Sequence, residues 1–425
     1  MSKEKSKTSG IKKLAKDVKL CRICHSRKLF KFLDLGSMPI PNGFLKKEDI
    51  SFLEEKFELS CLFCESCGLV QLSKVVNPIL MFKNYVYVTS MARVMMNNFS
   101  SLSYQIYKGY KLNKQSLVVD IGSNDGSLLT FFKNYGTKVL GVDPAKNLSK
   151  IALMKGIPTE TRLFNSSSAK LIRKKYGFAD VITATNVVAH IDNLHALFEG
   201  VSILLKKNGA FVTEFPYFVD LFKKNEFDTI YHEHLSYFSL KPWMKLIDLF
   251  GFEVVSVQKL SIHGGSIRLV HQRKDKARKS ILKTVKYLIS VEENYEIYSK
   301  KALLQFANRV ENMKSELMSL LTDLKRKRKR IVGYGAAAKG NVLANYFGID
   351  TGILDYIVDS TPYKQGLFTP GTHIPIFGES KLAEDKPDYA LIFAWNFADE
   401  IIEKERNFRK NGGKFIIPIP KIRVL

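Results

Sequence analysis

No apolar run in the 425 residues approaches the roughly 20 needed to cross a bilayer, which argues against a transmembrane helix. The opening stretch, MSKEKSKTSGIKKLAKDVK, is basic but lacks the apolar core of a secretory signal, so a cytoplasmic location is expected. Cysteine is scarce: there are five, and all fall between Cys21 and Cys67. That leaves most of the chain without disulfides and turns attention to metal binding at the N-terminal end. Negative charge is also short, with 41 Asp and Glu against 66 Lys and Arg, a net charge of +25. The excess is spread along the chain, with concentrations in the N-terminal tail and at Lys325–Arg330. It reads as solvated helix faces and a surface suited to an anionic substrate. Neither a nucleic acid nor a membrane is the expected partner. A hydrophobic content of 45% fits a folded globular chain, and its length calls for two or three domains.

What is present is organised in blocks. Residues 1–19 read as a basic tail, followed by a cysteine-bearing module over 20–84 with turns at Gly36, Pro39, Pro41 and Asn42-Gly43. From 85 to 272 strands and helices alternate. The strands are Leu117–Gly122, Lys138–Asp143, Asp180–Thr185 and Gly209–Phe215, then Glu253–Lys259 and Ser266–Gln272. This pattern predicts an α/β domain with a parallel sheet covered on both faces and an antiparallel edge. Residues 273–329 contain no Gly or Pro and carry Val285, Leu288, Ile289, Leu303, Leu304 and Phe306 at helical spacing, so they predict a helical linker. A second α/β unit occupies 330–425, with strands Ile331–Tyr334, Leu354–Asp359, Tyr389–Ala394 and Lys414–Ile417.

Two C-x-x-C knuckles, Cys21/Cys24 and Cys64/Cys67, supply four thiolates, enough for a closed tetrahedral zinc site of structural type. Cys61 lies three before Cys64 and offers another register, but Gly68 after Cys67 suits a knuckle turn, which leaves Cys61 spare. In the central block, Asp120-Ile-Gly122-Ser-Asn124-Asp125-Gly126 runs from a strand through a turn into a helix. Gly122 permits close backbone approach to a ligand, and Gly126 opens the helix. Asp143, at the end of the next strand, is placed to accept ribose hydroxyls. The G-x-G-x-x-G that a dinucleotide pyrophosphate requires is missing here, and the pattern suits S-adenosylmethionine, which has a ribose and no phosphate. Asn186 and His190 follow the strand Asp180–Thr185 and are expected to line that site, although His190 equally suits a capping or core position.

The segment TIYHEHLSYFS places Tyr231, His232, Glu233 and His234 in succession, a proton-transfer group beside a cofactor fold. Pairs of histidines spaced i, i+2 are also common as packing residues, which is the expectation for His232. In the last unit, Gly333-x-Gly335-x-x-x-Lys339-Gly340 follows a strand. With Lys339 at a helix start it suits a diphosphate or a sugar, Asn341, Lys364 and His373 being weaker candidates.

Together the paired knuckles, DIGSNDG, YHEHLSYFS, His263-Gly-Gly-Ser-Ile-Arg268 and Gly333-Tyr-Gly-Ala-Ala-Ala-Lys339-Gly-Asn341 resemble the sugar C-methyltransferase family, which acts on nucleotide-linked 4-keto-deoxysugars. The resemblance spans residues 20 to 420. It implies a zinc-binding domain, a class I methyltransferase Rossmann-like domain that uses S-adenosylmethionine, and a C-terminal Rossmann-like domain, with the sugar nucleotide between domains. It implies His234 as general base, with Tyr231, Glu233 and Tyr85 at adjacent active-site positions. Lys339, Asn341 and Gly335 are the substrate-side expectations. The competing readings are an O- or N-methyltransferase, which needs no carbon-acid base, and a zinc-ribbon nucleic-acid binder on a degenerate enzyme fold.

Overall fold

The computed structural model describes residues 14–82, 89–91, 93–274 and 282–425. Tyr85 lies outside these residues.

The central sheet has seven strands in the order 252–260, 266–273, 205–216, 179–185, 117–121, 138–142, 159–160. The five strands from Leu205–Pro216 to Thr159–Glu160 run parallel. Ser266–Arg273 enters antiparallel between Leu205–Pro216 and Phe252–Leu260. The strand Leu117–Ile121 is buried throughout, as its unbroken apolar run with one acid requires for a strand covered on both faces. Its neighbours on the two sides, Lys138–Val142 and Ala179–Thr185, follow crossovers in opposite directions, which opens a crevice at their carboxyl ends. This is a Rossmann-like arrangement with an antiparallel strand added next to one edge.

The C-terminal sheet repeats the principle with six strands in the order 376–377, 357–358, 331–334, 389–392, 414–417, 423–424, all parallel except the last. The stretch expected as a strand over 354–359 is reduced to Ile357–Val358. Both α/β units use one device at the switch point. An acid ending the second strand accepts from the backbone of the turn after the first: Asp143 Oδ2 from Asn124 N at 2.9 Å, and Asp359 Oδ2 from Ala336 N at 2.7 Å.

The N-terminal module is an antiparallel sheet of Leu29–Met38, Phe57–Cys64 and Val70–Leu72. Its fourth strand, Ser236–Tyr237, is supplied by the central α/β unit. Residues 15–17, expected in the tail, instead form a strand paired with Lys74–Val76. An ion pair between Lys74 and Asp17 at 2.5 Å and the packing of Leu14 and Ala15 on Phe57, Val76 and Met81 hold it there.

The linker is two helices, Lys283–Asn294 and Lys300–Arg326. The second buries Leu303, Phe306, Val310, Met313, Leu317, Leu321 and Leu324, a stripe at helical spacing, while Leu304 falls off that stripe and faces solvent. Glu292 ties this region to the centre. Fully buried, it accepts from the Tyr217 hydroxyl at 2.6 Å, from Leu240 N at 2.5 Å and from Lys241 N at 3.2 Å, and the Tyr298 hydroxyl also donates to it. Among the described residues no helix is long and apolar enough to cross a membrane.

Candidate active site

One cavity of about 1170 Å³ is walled by all three units. Its nucleoside half is built on the carboxyl ends of Leu117–Ile121 and Ala179–Thr185, where Asp120, Gly122, Asn124, Asp143, Asn186 and His190 all reach the wall. Gly122 has φ +68°, and a Cβ there would lie 2.6 Å from Val187 Cγ2, so the turn needs glycine for both conformation and space. Asn124 and Asn186 adopt φ +50° and +54°, a region that asparagine tolerates better than most residues.

The polar atoms here have the pattern of a receptor. Asp143 accepts from Asn124 N at 2.9 Å and from Ala145 N at 2.8 Å, so each oxygen is held by the backbone and keeps a further lone pair. Burial pushes its carboxyl pKa up, opposed by those two amides. Asp120 accepts from the Thr183 hydroxyl at 2.6 Å, and burial pushes it to about 7. Asn186 Oδ1 and Ser123 Oγ are buried without a hydrogen-bond partner while their residues line the cavity, as expected of groups that a ligand satisfies. A nucleoside with ribose hydroxyls and amine donors fits these atoms. Gly126 does not reach the cavity. Its φ of +75° starts the helix Ser127–Asn134, and a Cβ there would lie 3.1 Å from Ile157 Cβ, a structural demand for glycine.

His234 stands in the opposite wall, 9% exposed. Its Nδ1 donates to the Thr229 carbonyl at 2.8 Å, which fixes the tautomer with the lone pair on Nε2. Burial, then the neighbouring His190, and to a smaller extent Lys339 and His263, hold its pKa well below the usual histidine value. The ring packs on Tyr231 with centroids 4.0 Å apart and on His190 at 5.0 Å. Burial also takes His190 down to about 4. His232 points elsewhere: it is buried, with Nε2 bonded to the Phe57 carbonyl at 3.1 Å.

Glu233 is not the partner of His234 Nδ1, which the Thr229 carbonyl occupies. Its buried carboxylate accepts from Asn42 Nδ2 at 2.6 Å instead. Adjacent residues in this tight segment project in different directions, so sequence proximity misleads.

The third wall is the C-terminal unit. Lys339 opens the helix Ala338–Phe347, lies 4.7 Å above the Trp395 ring and donates to the His263 carbonyl at 3.4 Å. Trp395 Nε1 in turn donates to the buried Asp228 at 2.6 Å, and burial raises that carboxyl's pKa. Lys364 also reaches the cavity while donating to the Ala336 carbonyl at 2.8 Å. Gly335 and Asn341 do not reach it. Gly335, φ +89°, allows the turn to pass Ala394, and the Asn341 side chain donates to the Pro41 carbonyl at 2.6 Å. His373 bonds Glu54 at 2.6 Å, bracing the loop at 370–375 against the N-terminal module.

Sequence reasoning passed over Asn42, Thr229, His263 and Lys224 as wall or support residues. His263 sits in a Gly-Gly turn that was visible as a motif, whereas nothing local marks Thr229 or Lys224. Asn42 read only as a turn former.

The four thiols of Cys21, Cys24, Cys64 and Cys67 lie within 4.8 Å of one another. The pairs Cys21–Cys67 and Cys24–Cys64 are 3.4 and 3.5 Å apart. Zn–S bonds of about 2.3 Å place tetrahedral sulfurs roughly 3.8 Å apart, so the group fits zinc after a small adjustment of the sulfurs. The hydrogen bond with Cys67 lowers the pKa of the Cys21 thiol, which favours the thiolate form that a metal binds. Cys61 is buried outside the group, and burial raises its pKa.

The fold and cleft define a methyltransferase with a zinc-binding module, and the comparisons agree. Family profiles match a zinc binding domain over residues 21–82, a methyltransferase domain over 91–257, and a C-methyltransferase C-terminal domain over 261–420. The C-methyltransferase NovU of Streptomyces niveus is 35% identical over 405 residues, covering 95% of this chain and 96% of that protein. The chain belongs to the C-methyltransferase family, whose enzymes use S-adenosylmethionine. Solved structures with similarity include the magnesium protoporphyrin IX methyltransferase of Synechocystis PCC 6803 with bound S-adenosylmethionine (17% identity, 46% of this chain and 88% of that one, TM-score 0.33). The PH0226 protein of Pyrococcus horikoshii is another (14% identity, 46% and 98%, TM-score 0.35). At that distance they add nothing to the assignment.

Proposed function

We propose that this enzyme methylates the carbon next to the ketone of a nucleotide-linked 4-keto-deoxysugar, with His234 as the base. The observation that carries this reading is the Nδ1 bond of His234 to the Thr229 carbonyl at 2.8 Å, which leaves a neutral Nε2 lone pair in the wall of a cavity shared with the nucleoside half. Methyl transfer to oxygen or nitrogen needs no carbon-acid base, whereas transfer to carbon does.

A ketone acidifies the neighbouring C–H because the charge left behind spreads onto oxygen. His234 takes that proton at Nε2. Its depressed pKa keeps it unprotonated at neutral pH, and the same surroundings make the protonated ring shed its proton before the next turnover. Tyr231, packed at a tilt against the imidazole, would donate its hydroxyl to the developing enolate oxygen, and Lys339 would add its positive charge. Tyr85 is a further candidate for that task, outside the described residues. The start of the helix Ala338–Phe347, with Lys339, suits the diphosphate. Asp120, Asn124, Asp143 and Asn186 would hold S-adenosylmethionine, which when bound supplies an electrophilic methyl group. Walls from three units fix donor and sugar relative to each other, the proximity that a two-substrate transfer requires. The four-cysteine group is closed by its own ligands and has a structural role. Reduced thiols fit a cytoplasmic enzyme.

The test is incubation with methyl-deuterated S-adenosylmethionine and a pool of nucleotide-linked 4-keto-6-deoxysugars, followed by mass spectrometry. Label retained in the sugar after acid release of the nucleotide supports carbon methylation. Label lost in acid, or found on a heteroatom, contradicts it.

A further inference from the structure

Asn42 belongs to the zinc-binding module, yet it lines the cavity and its Nδ2 donates to Glu233 Oε1 at 2.6 Å. A carboxylate offers only acceptors, so the amide nitrogen must be the atom that faces it. Glu233 is 2% exposed, and a buried carboxylate is costly without donors.

The loop that carries Asn42 is held from two sides. Pro39 and Pro41 stiffen it, and Gly43 N closes a turn on the Ile40 carbonyl at 2.9 Å. From the C-terminal unit, Asn341 Nδ2 grips the Pro41 carbonyl at 2.6 Å. Leu45 and Phe368 exchange backbone hydrogen bonds of 3.0 and 2.8 Å, and Glu54 takes Gly371 N at 2.8 Å and His373 Nε2 at 2.6 Å. The loop is therefore a strap fastened to the C-terminal unit with its tip against the segment that bears His234. That segment is short and tight: His234 N donates to the Tyr231 carbonyl at 2.8 Å and Leu235 N to the Ala189 carbonyl at 2.7 Å. Displacing Glu233 displaces the peptide plane that carries the base.

We infer that Asn42 is a positioning residue for methyl transfer, acting through Glu233 on His234, and that Asn341 serves the same end by fixing the Asn42 loop. The inference rests on the sugar-methylation reading. It assigns the zinc-binding module a direct part in the geometry of the catalytic wall.

The experiment compares Asn42→Ala, Asn42→Asp and Glu233→Gln in the full-length, zinc-loaded enzyme. Readouts are kcat, sugar-nucleotide KM, S-adenosylmethionine affinity, zinc content and the pH profile of kcat. Asn42→Ala is expected to lower kcat on the order of 100-fold, the cost of a small misplacement at a reacting centre, with cofactor affinity and zinc content unchanged. Asn42→Asp is isosteric and keeps the test informative if truncation unfolds the loop. It sets two carboxyls at hydrogen-bond distance, so they share a proton at low pH and repel at high pH. Its kcat should rise as pH falls over a range where the parent stays flat, which a merely structural residue would not produce. An Asn42→Ala enzyme of parental kcat, or an Asn42→Asp enzyme with a parental pH profile, overturns the inference. Glu233→Gln keeps the oxygen that accepts from Asn42 and should stay close to the parent, which separates the contact from any need for the charge itself. If the parent transfers no methyl to any sugar nucleotide, the underlying reading fails instead.

Discussion

Replacing His234 by Asn isolates one atom. The Asn amide nitrogen falls where Nδ1 stands and can keep the bond to the Thr229 carbonyl, 2.8 Å in the parent, while Nε2 and its lone pair are deleted. The fold at Thr229 is thus preserved and the base is lost. A positioned general base is worth about 10²–10⁴ in rate, or roughly 3–5 kcal/mol of barrier. The assay is loss of the sugar proton next to the ketone in D2O by NMR, run without the methyl donor, beside methyl transfer with it. Both should fall by that factor, while S-adenosylmethionine binding stays at the parental value. The parent's pH dependence belongs to the same argument. Burial and His190 hold the pKa of His234 well below 6.5, so the ring is unprotonated above that depressed value. Proton exchange should therefore stay flat as pH falls through 6.5 and fail only in more acid solution, in a step shared with His190, 5.0 Å away. Parental exchange in the Asn variant, or a parental acid limb centred near 6.5, refutes the assignment.

Asp143→Asn replaces one acceptor with a donor that faces a backbone N–H. It should weaken S-adenosylmethionine binding at least about tenfold by calorimetry, since hydrogen bonds to a charged group are worth about 1.5–3 kcal/mol. Cys64→Ser should abolish stoichiometric zinc and unfold the N-terminal module, whereas Cys61→Ser, outside the thiol group, should retain full metal content by elemental analysis. His271 accepts from Trp243 Nε1 at 2.8 Å and donates to the Phe211 carbonyl at 2.9 Å, so it folds as a neutral ring with its pKa lowered to about 4. Its contribution is present above about 6.5, the unfolded value, and is lost as pH falls toward 4. The stability advantage of the parent over His271→Gln should shrink by up to about 2 kcal/mol between pH 7 and 5 in denaturant titrations, and an unchanged gap contradicts this.

Periodic elements were legible because their signals are local. The apolar runs at 117–121 and 179–185, the C-x-x-C pairs and the stripe from Leu303 onward each declare themselves within a few residues. Long-range pairing does not. Ser236 pairs with Gln71 and Asn341 reaches Pro41, and neither residue carries a mark of its partner. Ala15–Asp17 is too short and polar to read as a strand without Lys74 opposite it. The site divides the same way. Residues on strand ends, such as Asp120, Asp143 and Asn186, follow from the fold's crevice rule. Asn341 and Glu233 resembled ligands by type and neighbourhood, and tertiary packing turned both toward the Asn42 loop.

The pairing of Ser236–Tyr237 with Val70 and Gln71 has a consequence for how the chain can be divided. The stretch just after His234 completes a sheet begun more than a hundred residues earlier, and Leu235 is gripped from that side as well, its carbonyl accepting from Leu72 N at 3.1 Å and Arg22 Nη1 at 3.0 Å. Cutting the protein between its first and second units would therefore sever a single sheet. The isolated methyltransferase unit would keep its nucleoside pocket and lose the ladder that holds the histidine loop, leaving a receptor for the methyl donor that has no reaction to perform.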